Sequence, residues 1–350
     1  MKRINFILYD FPRTPNGGNK VVYEYAEYLG EQGYDVVIYY RWAYNHFHLP
    51  LFVRKLLINI VVQYFPHWFT FNKNVKRKNV YDINDENIRE ADVIVATDIR
   101  TAYPVAGLNK NKGKKFYLIQ GFENWDFSDE YVYSTYSLGM TNITVARWLK
   151  RIVDKYSKSP AICISNSINT NVFKYENISH NLHTLSFHYR EAAYKGCDDA
   201  IEVIKKLKNI YPDLHVYVIS REDCPDNMPR FVEFIKNASP SDVARIDNLS
   251  SVFLCTSVVE GFGLPGLEAM ACGSVLVSTN YDGVLEYAVD QENALLSDVH
   301  DVDDLVKNIR LVFDNKDLRD RLKENGIKTA KERALKISCE KFEKVILGEE

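Results

Sequence analysis

The sequence contains few cysteines, and none of them is spaced as in a zinc site or a redox motif. Its six cysteines lie far apart along 350 residues, several of them inside apolar runs, as is typical of buried and reduced thiols. The eight histidines show no metal-ligand spacing. The sequence therefore gives no indication of a metal centre, and a reducing cytoplasm is its expected setting.

A long uninterrupted apolar run is also missing, and so is an excess of charge of one sign. Met1–Asp10 has a charged start and a short apolar run that ends at Asp10, which favours a first strand over a signal peptide. A net charge of -3 gives no reason to expect a nucleic-acid partner. The apolar fraction of 46% is that of an ordinary soluble protein, and 350 residues suffice for two cores.

Residues 41–80 lack acidic side chains altogether. This segment carries seven Lys or Arg and many aromatic or aliphatic residues, but Arg54, Lys55 and Pro66 interrupt its apolar windows, so a spanning helix is not expected. Two interpretations remain open. The segment could lie on the anionic inner face of a membrane, or it could be a core helix with solvated basic flanks.

Strand-like and helical patterns alternate along the chain, which predicts parallel sheets with crossover helices. The predicted strands and helices are Ile4–Tyr9, a helix over Lys20–Glu31, Val36–Tyr40, Val93–Thr97, Phe116–Gln120, a helix over Ala146–Tyr156, Ala161–Ser165, Thr184–Tyr189, a helix capped at Asp198, His215–Ser220, Val252–Thr256, Val275–Ser278, and helices over Asp303–Val312, Leu318–Arg333 and Ile337–Ile346. We predict an α/β protein with two Rossmann-like domains, 1–168 with 337–350 and 169–336. The polar segment Asn169–Asn181 is the expected linker.

Two common motifs are absent. No G-x-G-x-x-G follows the first strand, which argues against a dinucleotide-binding dehydrogenase, and no G-x-S-x-G nucleophile elbow occurs. The first loop instead contains Gly17 and Gly18, where the backbone could approach a ligand closely or form a plain turn.

The strongest local pattern runs from Ser251 to Ser278 as strand, glycine-rich loop and helix. Pro265 suits the first turn of that helix and Gly273 its left-handed end. Backbone N–H groups of the loop and the positive helix end should therefore face an anion or a sugar hydroxyl; the residues concerned are Gly261, Phe262, Gly263 and Leu264. Glu260 and Glu268 bracket the loop, and their carboxylates can accept hydrogen bonds from diols. Each glutamate alone could also be structural, Glu268 by favouring the helix dipole.

A second pattern follows the first strand of the second domain. Arg190 and Lys195 lie five residues apart on one loop and could both reach a diphosphate, which would make a metal dispensable. Doubly wound folds bind ligands at such strand ends, although paired basic residues on a loop are usually only solvated.

Two further loops contain polar residues that follow strands. Gln120 and Glu123 could meet an acceptor hydroxyl, with an exposed loop acid as the equal alternative. Asp282 and Glu286 follow the strand after the main pattern, where a structural turn is equally compatible with the sequence.

Together these patterns resemble retaining glycosyltransferase family 4, of GT-B fold. The family's E-x7-E motif is matched by Glu260 to Glu268, its cation pair by Arg190 and Lys195, and its Gly-Gly turn by Gly17 and Gly18. The chain departs from the family at Tyr189, where a glycine is usual, and at Ser165-Asn166-Ser167, where Pro-Asn-Gly is usual. Gln120–Trp125 is similar to the corresponding segment of bacterial enzymes for capsule and other surface polysaccharides, including rhamnosyltransferase types.

The resemblance implies two sheets that face each other across a cleft, with the last helix packed back on the first domain. It implies a nucleotide-diphosphate sugar donor in the second domain, Glu268 at the ribose and Glu260 at the sugar, and a glycan or polyprenyl-linked acceptor from the first domain. Gly17 and Gly18 are further donor-binding candidates. Arg190 and Lys195 would neutralise the departing diphosphate, without a metal or other cofactor. The alternatives are a catalytically silent GT-B protein that binds glycan or stabilises a partner, and a nucleotide-sugar epimerase.

Overall fold

The computed structural model describes residues 1–12, 14, 16–41, 51–64 and 66–348, without the side chains of 51, 52, 54 and 55. The chain forms two compact units. Met1–Asn166 with Lys336–Glu350 make up the first unit, and Ser167–Leu335 make up the second. The sequence-based boundary was placed at residues 168 and 169.

The first unit contains a parallel sheet of seven strands in the order β3-β2-β1-β4-β5-β6-β7. Strands β1 and β2 are apolar on both faces and buried, as expected for a parallel sheet covered by helices on both sides. The strands are β1 (Arg3–Leu8), β2 (Asp35–Arg41), β3 (Val75–Val80), β4 (Val93–Ala96), β5 (Lys114–Ile119), β6 (Thr141–Thr144) and β7 (Ile162–Cys163), and the helices are α1 (Gly17–Glu31), α2 (Leu51–Tyr64), α3 (Ile99–Gly107), α4 (Asp129–Thr135) and α5 (Arg147–Tyr156).

The second unit contains a parallel sheet of six strands in the order β10-β9-β8-β11-β12-β13. Strands β9 and β10 are added on one side of β8, and strands β11 to β13 on the other. The loops after β8 and β11 therefore lie at the switch point where such folds bind ligands. The strands are β8 (Thr184–Tyr189), β9 (His215–Ser220), β10 (Val232–Lys236), β11 (Val252–Cys255), β12 (Val275–Thr279) and β13 (Ala294–Ser297), and the helices are α6 (Cys197–Ile210), α7 (Pro240–Asn248), α8 (Leu264–Cys272), α9 (Val302–Asp314) and α10 (Lys316–Lys331).

The last helix, α11 (Leu335–Leu347), belongs mainly to the first unit. Its Phe342 is fully buried and stacks on Tyr25 at a ring-centroid distance of 4.2 Å, and it packs against Phe6 at 6.0 Å. Glu343 accepts hydrogen bonds of 2.8 Å from the hydroxyls of Tyr28 and Tyr34. The predicted return of the C-terminal helix to the first domain is confirmed, and so is the prediction of two Rossmann-like α/β domains.

Several elements differ from the sequence-based expectation. Asp198 does not cap α6: Gly196 occupies the N-cap with φ 59°, and Asp198 lies in the first turn. The helix starts earlier because Gly196 can adopt the left-handed conformation that turns the chain into it. The prediction did not include strands β3, β6, β10 and β13, because they are short or mix polar with apolar residues. Residues 42–50, part of the basic segment, lie outside the described residues.

Candidate active site

The loop between β11 and α8 is shaped by two tyrosines beneath it. Gly263, at the N-cap of α8, has φ 87°, and a Cβ there would lie 2.1 Å from the Tyr281 hydroxyl oxygen. The Tyr287 hydroxyl donates a hydrogen bond of 2.7 Å to the Gly263 carbonyl oxygen, and a Cβ at Gly266 would lie 2.5 Å from that hydroxyl. Glycine at 263 and 266 therefore lets the helix start close to the two buried rings.

Phe262 and Leu264, two of the predicted donor-binding residues, are buried. The Phe262 ring packs against Tyr287 at a centroid distance of 5.3 Å. These side chains hold the loop in place, so what they can offer a ligand is their backbone. Gly283 backs the same loop, because a Cβ there would lie 2.4 Å from the Glu260 carbonyl oxygen. The segment Asp282–Glu286 thus supports the loop structurally.

Glu260 and Lys195, predicted from separate motifs, form an ion pair. The Lys195 Nζ lies 3.0 Å from Glu260 Oε1, and both side chains are partly exposed, at 24% and 16%. The Ser257 hydroxyl donates a hydrogen bond of 2.5 Å to the same carboxylate oxygen. A carboxylate held by a cation and a hydroxyl is oriented before any ligand arrives.

Backbone contacts between two loops build this pair. The Val258 N–H donates to the Tyr194 carbonyl oxygen at 2.8 Å, and the Thr256 hydroxyl donates to the Lys195 carbonyl oxygen at 3.3 Å. A Cβ at Gly196 would lie 2.0 Å from the Thr256 carbonyl oxygen, so only glycine allows this approach. The glycine after Lys195 therefore fixes the lysine next to Glu260.

Arg190 follows β8 directly, and Arg221, which the sequence analysis did not select, follows β9 directly. His188 in β8 lies close to both arginines. Its burial and the charges of Arg190, Lys195 and Arg221 lower the pKa of His188 to about 3, so the imidazole is neutral at physiological pH. The register of β8 and β9 was the missing information, because nothing in the one-dimensional sequence pairs residue 190 with residue 221.

Glu268 lies in the middle of α8 and is buried, 7% exposed. Nearby, the carboxyl of Asp247 in α7 is buried as well, and the Ser186 hydroxyl donates to its Oδ1 at 3.3 Å. Burial, together with the charge of Glu268, raises the pKa of Asp247 well above its usual range. The raised pKa favours the protonated form of Asp247 beside Glu268, and a lone Asp in a helix carries no motif that could have predicted it.

In the first unit, the glycine pair lies at the start of α1 and not in a loop. The side chain of Asn16 accepts a hydrogen bond of 2.8 Å from the Asn19 N–H and caps the helix. A Cβ at Gly18 would lie 3.4 Å from Gln120 Nε2, so two of the predicted ligand-contacting residues are neighbours. The start of α1 and the end of β5 meet there.

Glu123, the other predicted acceptor residue, binds the start of α3. Its Oε2 accepts a hydrogen bond of 2.7 Å from the Ile99 N–H, next to Asp98, which caps the same helix. Burial and the neighbouring Asp98 raise the pKa of Glu123 to about 8. The two carboxyl groups thus form a pair that holds a proton at neutral pH.

No group of three or more His, Cys, Asp or Glu side chains within the described ranges could hold a metal ion. All six cysteines are free. None of the helices described is long and apolar enough to cross a membrane.

Residues 170–329, nearly the whole second unit, match the family model of the group 1 glycosyl transferases. The chain carries a group 1 glycosyl transferase domain. The loop after β11, the pair Lys195–Glu260 and the two arginines all lie within this glycosyl transferase domain. These residues therefore all lie in the part of the chain that matches the glycosyl transferase family model.

Three similar proteins extend the match beyond that domain. An uncharacterized glycosyltransferase of Methanocaldococcus jannaschii is 27% identical over 303 residues, which cover 81% of this chain and 82% of that protein. The structure of the sucrose-phosphate synthase from Thermosynechococcus elongatus is similar with a TM-score of 0.79 at 13% identity, covering 99% of this chain and 98% of that one. The structure of HepE from Anabaena in complex with UDP and glucose has a TM-score of 0.76 at 14% identity, covering 99% and 100%. The two structures show that the GT-B fold extends over nearly the whole chain.

Proposed function

We propose that this chain is a retaining, metal-independent glycosyltransferase. It transfers a sugar from a nucleotide-diphosphate sugar to a glycan or lipid-linked acceptor of a bacterial surface polysaccharide. The observation that carries this proposal is the group of Lys195, Glu260 and Ser257 beside the start of α8, within a glycosyl transferase domain.

The arrangement suits departure of a diphosphate. The bond between the anomeric carbon and the phosphate oxygen breaks, a bond from that carbon to the acceptor oxygen forms, and the leaving phosphate takes the acceptor's proton on the same face. Lys195 and Arg190 stabilise the charge that develops on the phosphate, as preorganised cations do in a site that excludes water. Glu260, held by Lys195 and Ser257, accepts hydrogen bonds from sugar hydroxyls.

A nucleotide-sugar donor is supported by HepE, whose structure was determined with UDP and glucose. We assign buried Glu268, on α8, to the ribose diol of that donor. Gln120 and Glu123 in the first unit supply polar groups for an acceptor hydroxyl.

Contact with the inner face of a membrane forms a second part of the proposal. Helix α2 exposes apolar side chains, among them Leu56 at 62% and Tyr64 at 72%, while Ile58 and Val62 are buried. The neighbouring strand β3 carries Lys76 and Lys78, whereas Trp68, Phe69 and Phe71 pack around Tyr23. An apolar face beside basic groups fits an anionic bilayer.

Transfer is tested by incubating the protein with a panel of nucleotide sugars and acceptor glycans, with and without a metal chelator, followed by mass spectrometry of the products. We expect transfer with retained anomeric configuration in the presence of chelator, and Glu260→Gln should lower the rate by about two orders of magnitude or more. Glu292→Gln, at an exposed position of the same unit, is the matched control. Nucleotide binding without transfer would favour the catalytically silent protein, and a new nucleotide sugar formed without acceptor would favour the epimerase.

Membrane contact is tested by flotation with anionic and with neutral vesicles. The wild-type chain should float with anionic vesicles only, and a double variant Leu56→Ser, Ile60→Ser should remain at the bottom. Leu311→Ser in the second unit, also an exposed apolar position, controls for general loss of apolar surface. Equal flotation of all three proteins would exclude α2 as the contact.

A further inference from the structure

We infer that Arg221 is a second diphosphate-binding arginine, which works together with Arg190. This inference rests on the proposed function for the identity of the ligand, a nucleotide diphosphate. The position of Arg221 rests on strand pairing alone. Arg221 lies outside all three motifs on which the family resemblance is based.

Strand register places the two arginines side by side. Strands β8 and β9 pair in parallel, with His188 opposite Ile219 and Tyr189 opposite Ser220. Arg190 directly follows the last residue of β8, and Arg221 directly follows the last residue of β9. Both arginines therefore lie at the same level of the sheet's carboxyl edge. Neighbouring strands lie about 4.8 Å apart, and two like charges so placed repel each other. Accordingly, burial and the charge of Arg190 lower the pKa of Arg221.

The loops that carry the two arginines are tied together. The Glu191 N–H donates a hydrogen bond of 2.5 Å to Glu222 Oε2, and the Glu222 N–H donates one of 2.9 Å to the Ser220 hydroxyl oxygen. The hydrogen bond between Glu191 and Glu222 therefore ties the loop of Arg190 to the loop of Arg221 and limits how far the two arginines can move apart.

Neither guanidinium has a carboxylate partner among the residues that the structure describes. The Arg190 guanidinium donates to the Tyr189 carbonyl oxygen at 3.3 Å, and within the described ranges Arg221 makes no ion pair. Lys195, in contrast, is matched by Glu260 at 3.0 Å. Neither arginine is thus engaged in an ion pair in the described part of the chain, and a nucleotide-sugar diphosphate carries two negative charges. Guanidinium groups suit phosphate because they donate two parallel hydrogen bonds.

This assignment changes the part played by Lys195. The main partner of Lys195 is Glu260, so the lysine orients that carboxylate. Its positive charge stabilises the phosphate from one side only. Arg190 and Arg221 approach from the ends of two neighbouring strands and hold the diphosphate between them.

The experiment measures binding of inorganic pyrophosphate and of UDP, GDP and TDP to the full chain by calorimetry at constant ionic strength. Arg221→Gln should weaken pyrophosphate and the bound nucleotide at least about tenfold, as expected for loss of a charge-assisted pair. Arg221→Lys should recover part of that loss. The control Arg230→Gln removes an exposed positive charge from the same unit and should bind as wild type.

Thermal unfolding of the ligand-free protein separates binding from a structural role. Removing one of two repelling charges should leave the melting temperature of Arg221→Gln unchanged or raise it, whereas a structural arginine would lower it. Wild-type pyrophosphate binding in Arg221→Gln, or a lower melting temperature with unchanged binding, would overturn the inference. If pyrophosphate binding depends on Arg221 but no nucleotide sugar yields product, the anion site stands and the proposed transfer fails.

Discussion

At the scale of single residues, glycine decides where the site's loops can meet. Gly196 has φ 59° and closely approaches the Thr256 carbonyl oxygen, which keeps Lys195 beside Glu260. Gly33 has φ 89° as well, but no atom lies within 4 Å of its missing Cβ. Both positions therefore require a left-handed backbone, and only Gly196 also approaches another backbone atom closely.

Replacing Gly196 by Ala should therefore cost more than replacing Gly33. A left-handed alanine costs about 1–2 kcal/mol at either position. At 196, the clash with a backbone oxygen adds to that cost and displaces the loop of Lys195. Urea unfolding should show Gly196→Ala as the less stable variant, and only this variant should lose transfer activity. Equal losses of stability in both would contradict the role of the close approach.

The carboxyl pair Glu123 and Asp98 predicts a pH dependence. Folding raises the pKa of Glu123 from 4.5 to about 8, so the folded chain binds a proton that the unfolded chain releases between those values. The stability that this proton provides is present below about pH 4.5 and is lost as pH rises towards 8. Glu123→Gln stays neutral, so its stability should change less between pH 5 and 8, measured by urea unfolding with tryptophan fluorescence.

Glu86→Gln is the control for that experiment, since Glu86 is exposed in the same unit. Identical pH profiles for wild type and Glu123→Gln would show that Glu123 is charged at neutral pH. The interpretation of Glu123 as a shared-proton partner of Asp98 would then be wrong.

At the scale of elements, α11 shows how a helix late in the sequence completes an early core. Phe342 stacks between Tyr25 of α1 and Phe6 of β1, while Ile337 on the same helix is exposed. The helix is thus fixed to the first unit by one buried face.

Phe342→Ala should destabilise the first unit by about 3–5 kcal/mol, because it leaves a cavity between two buried aromatic rings. Ile337→Ala should stay within about 0.5 kcal/mol of wild type, as exposed positions usually do. Chemical unfolding of both variants checks the difference. A small effect of Phe342→Ala would mean that α11 contributes little to the core of the first unit.

At the scale of the whole molecule, the two units have separate hydrophobic cores and different reporters. The sequence has four tryptophans, at positions 42, 68, 125 and 148, and none falls within the range of the second unit, 167–335. Tryptophan fluorescence therefore follows unfolding of the first unit, whereas far-ultraviolet circular dichroism follows both.

We expect Phe342→Ala to shift the fluorescence transition to lower urea. Leu207 lies in the buried core of the second unit. Leu207→Ala should therefore shift the dichroism transition, which includes the second unit, and leave the fluorescence transition nearly unchanged. A nucleotide that binds the second unit should stabilise that unit. If fluorescence and dichroism shift together in both variants, the chain unfolds as a single cooperative unit.

The sequence by itself determined the class of fold and the main loop of the site. Parallel strands buried on both faces produce apolar runs, and glycine, proline and paired carboxylates leave a pattern at fixed spacing around Glu260–Glu268, so both could be recognised in one dimension. The resemblance carried by the same residues predicted a glycosyltransferase, and the match of the second unit to group 1 glycosyl transferases confirms that coarse assignment.

Only the tertiary structure decided which residues meet. Lys195 and Glu260 come from different loops, and the contact between Gly196 and Thr256 brings them together. Arg190 and Arg221 become neighbours through the register of two strands. The pKa of Asp247 is raised because its carboxyl group is buried beside Glu268. Pairing and desolvation depend on residues far apart in the chain, so local sequence patterns could not reveal them.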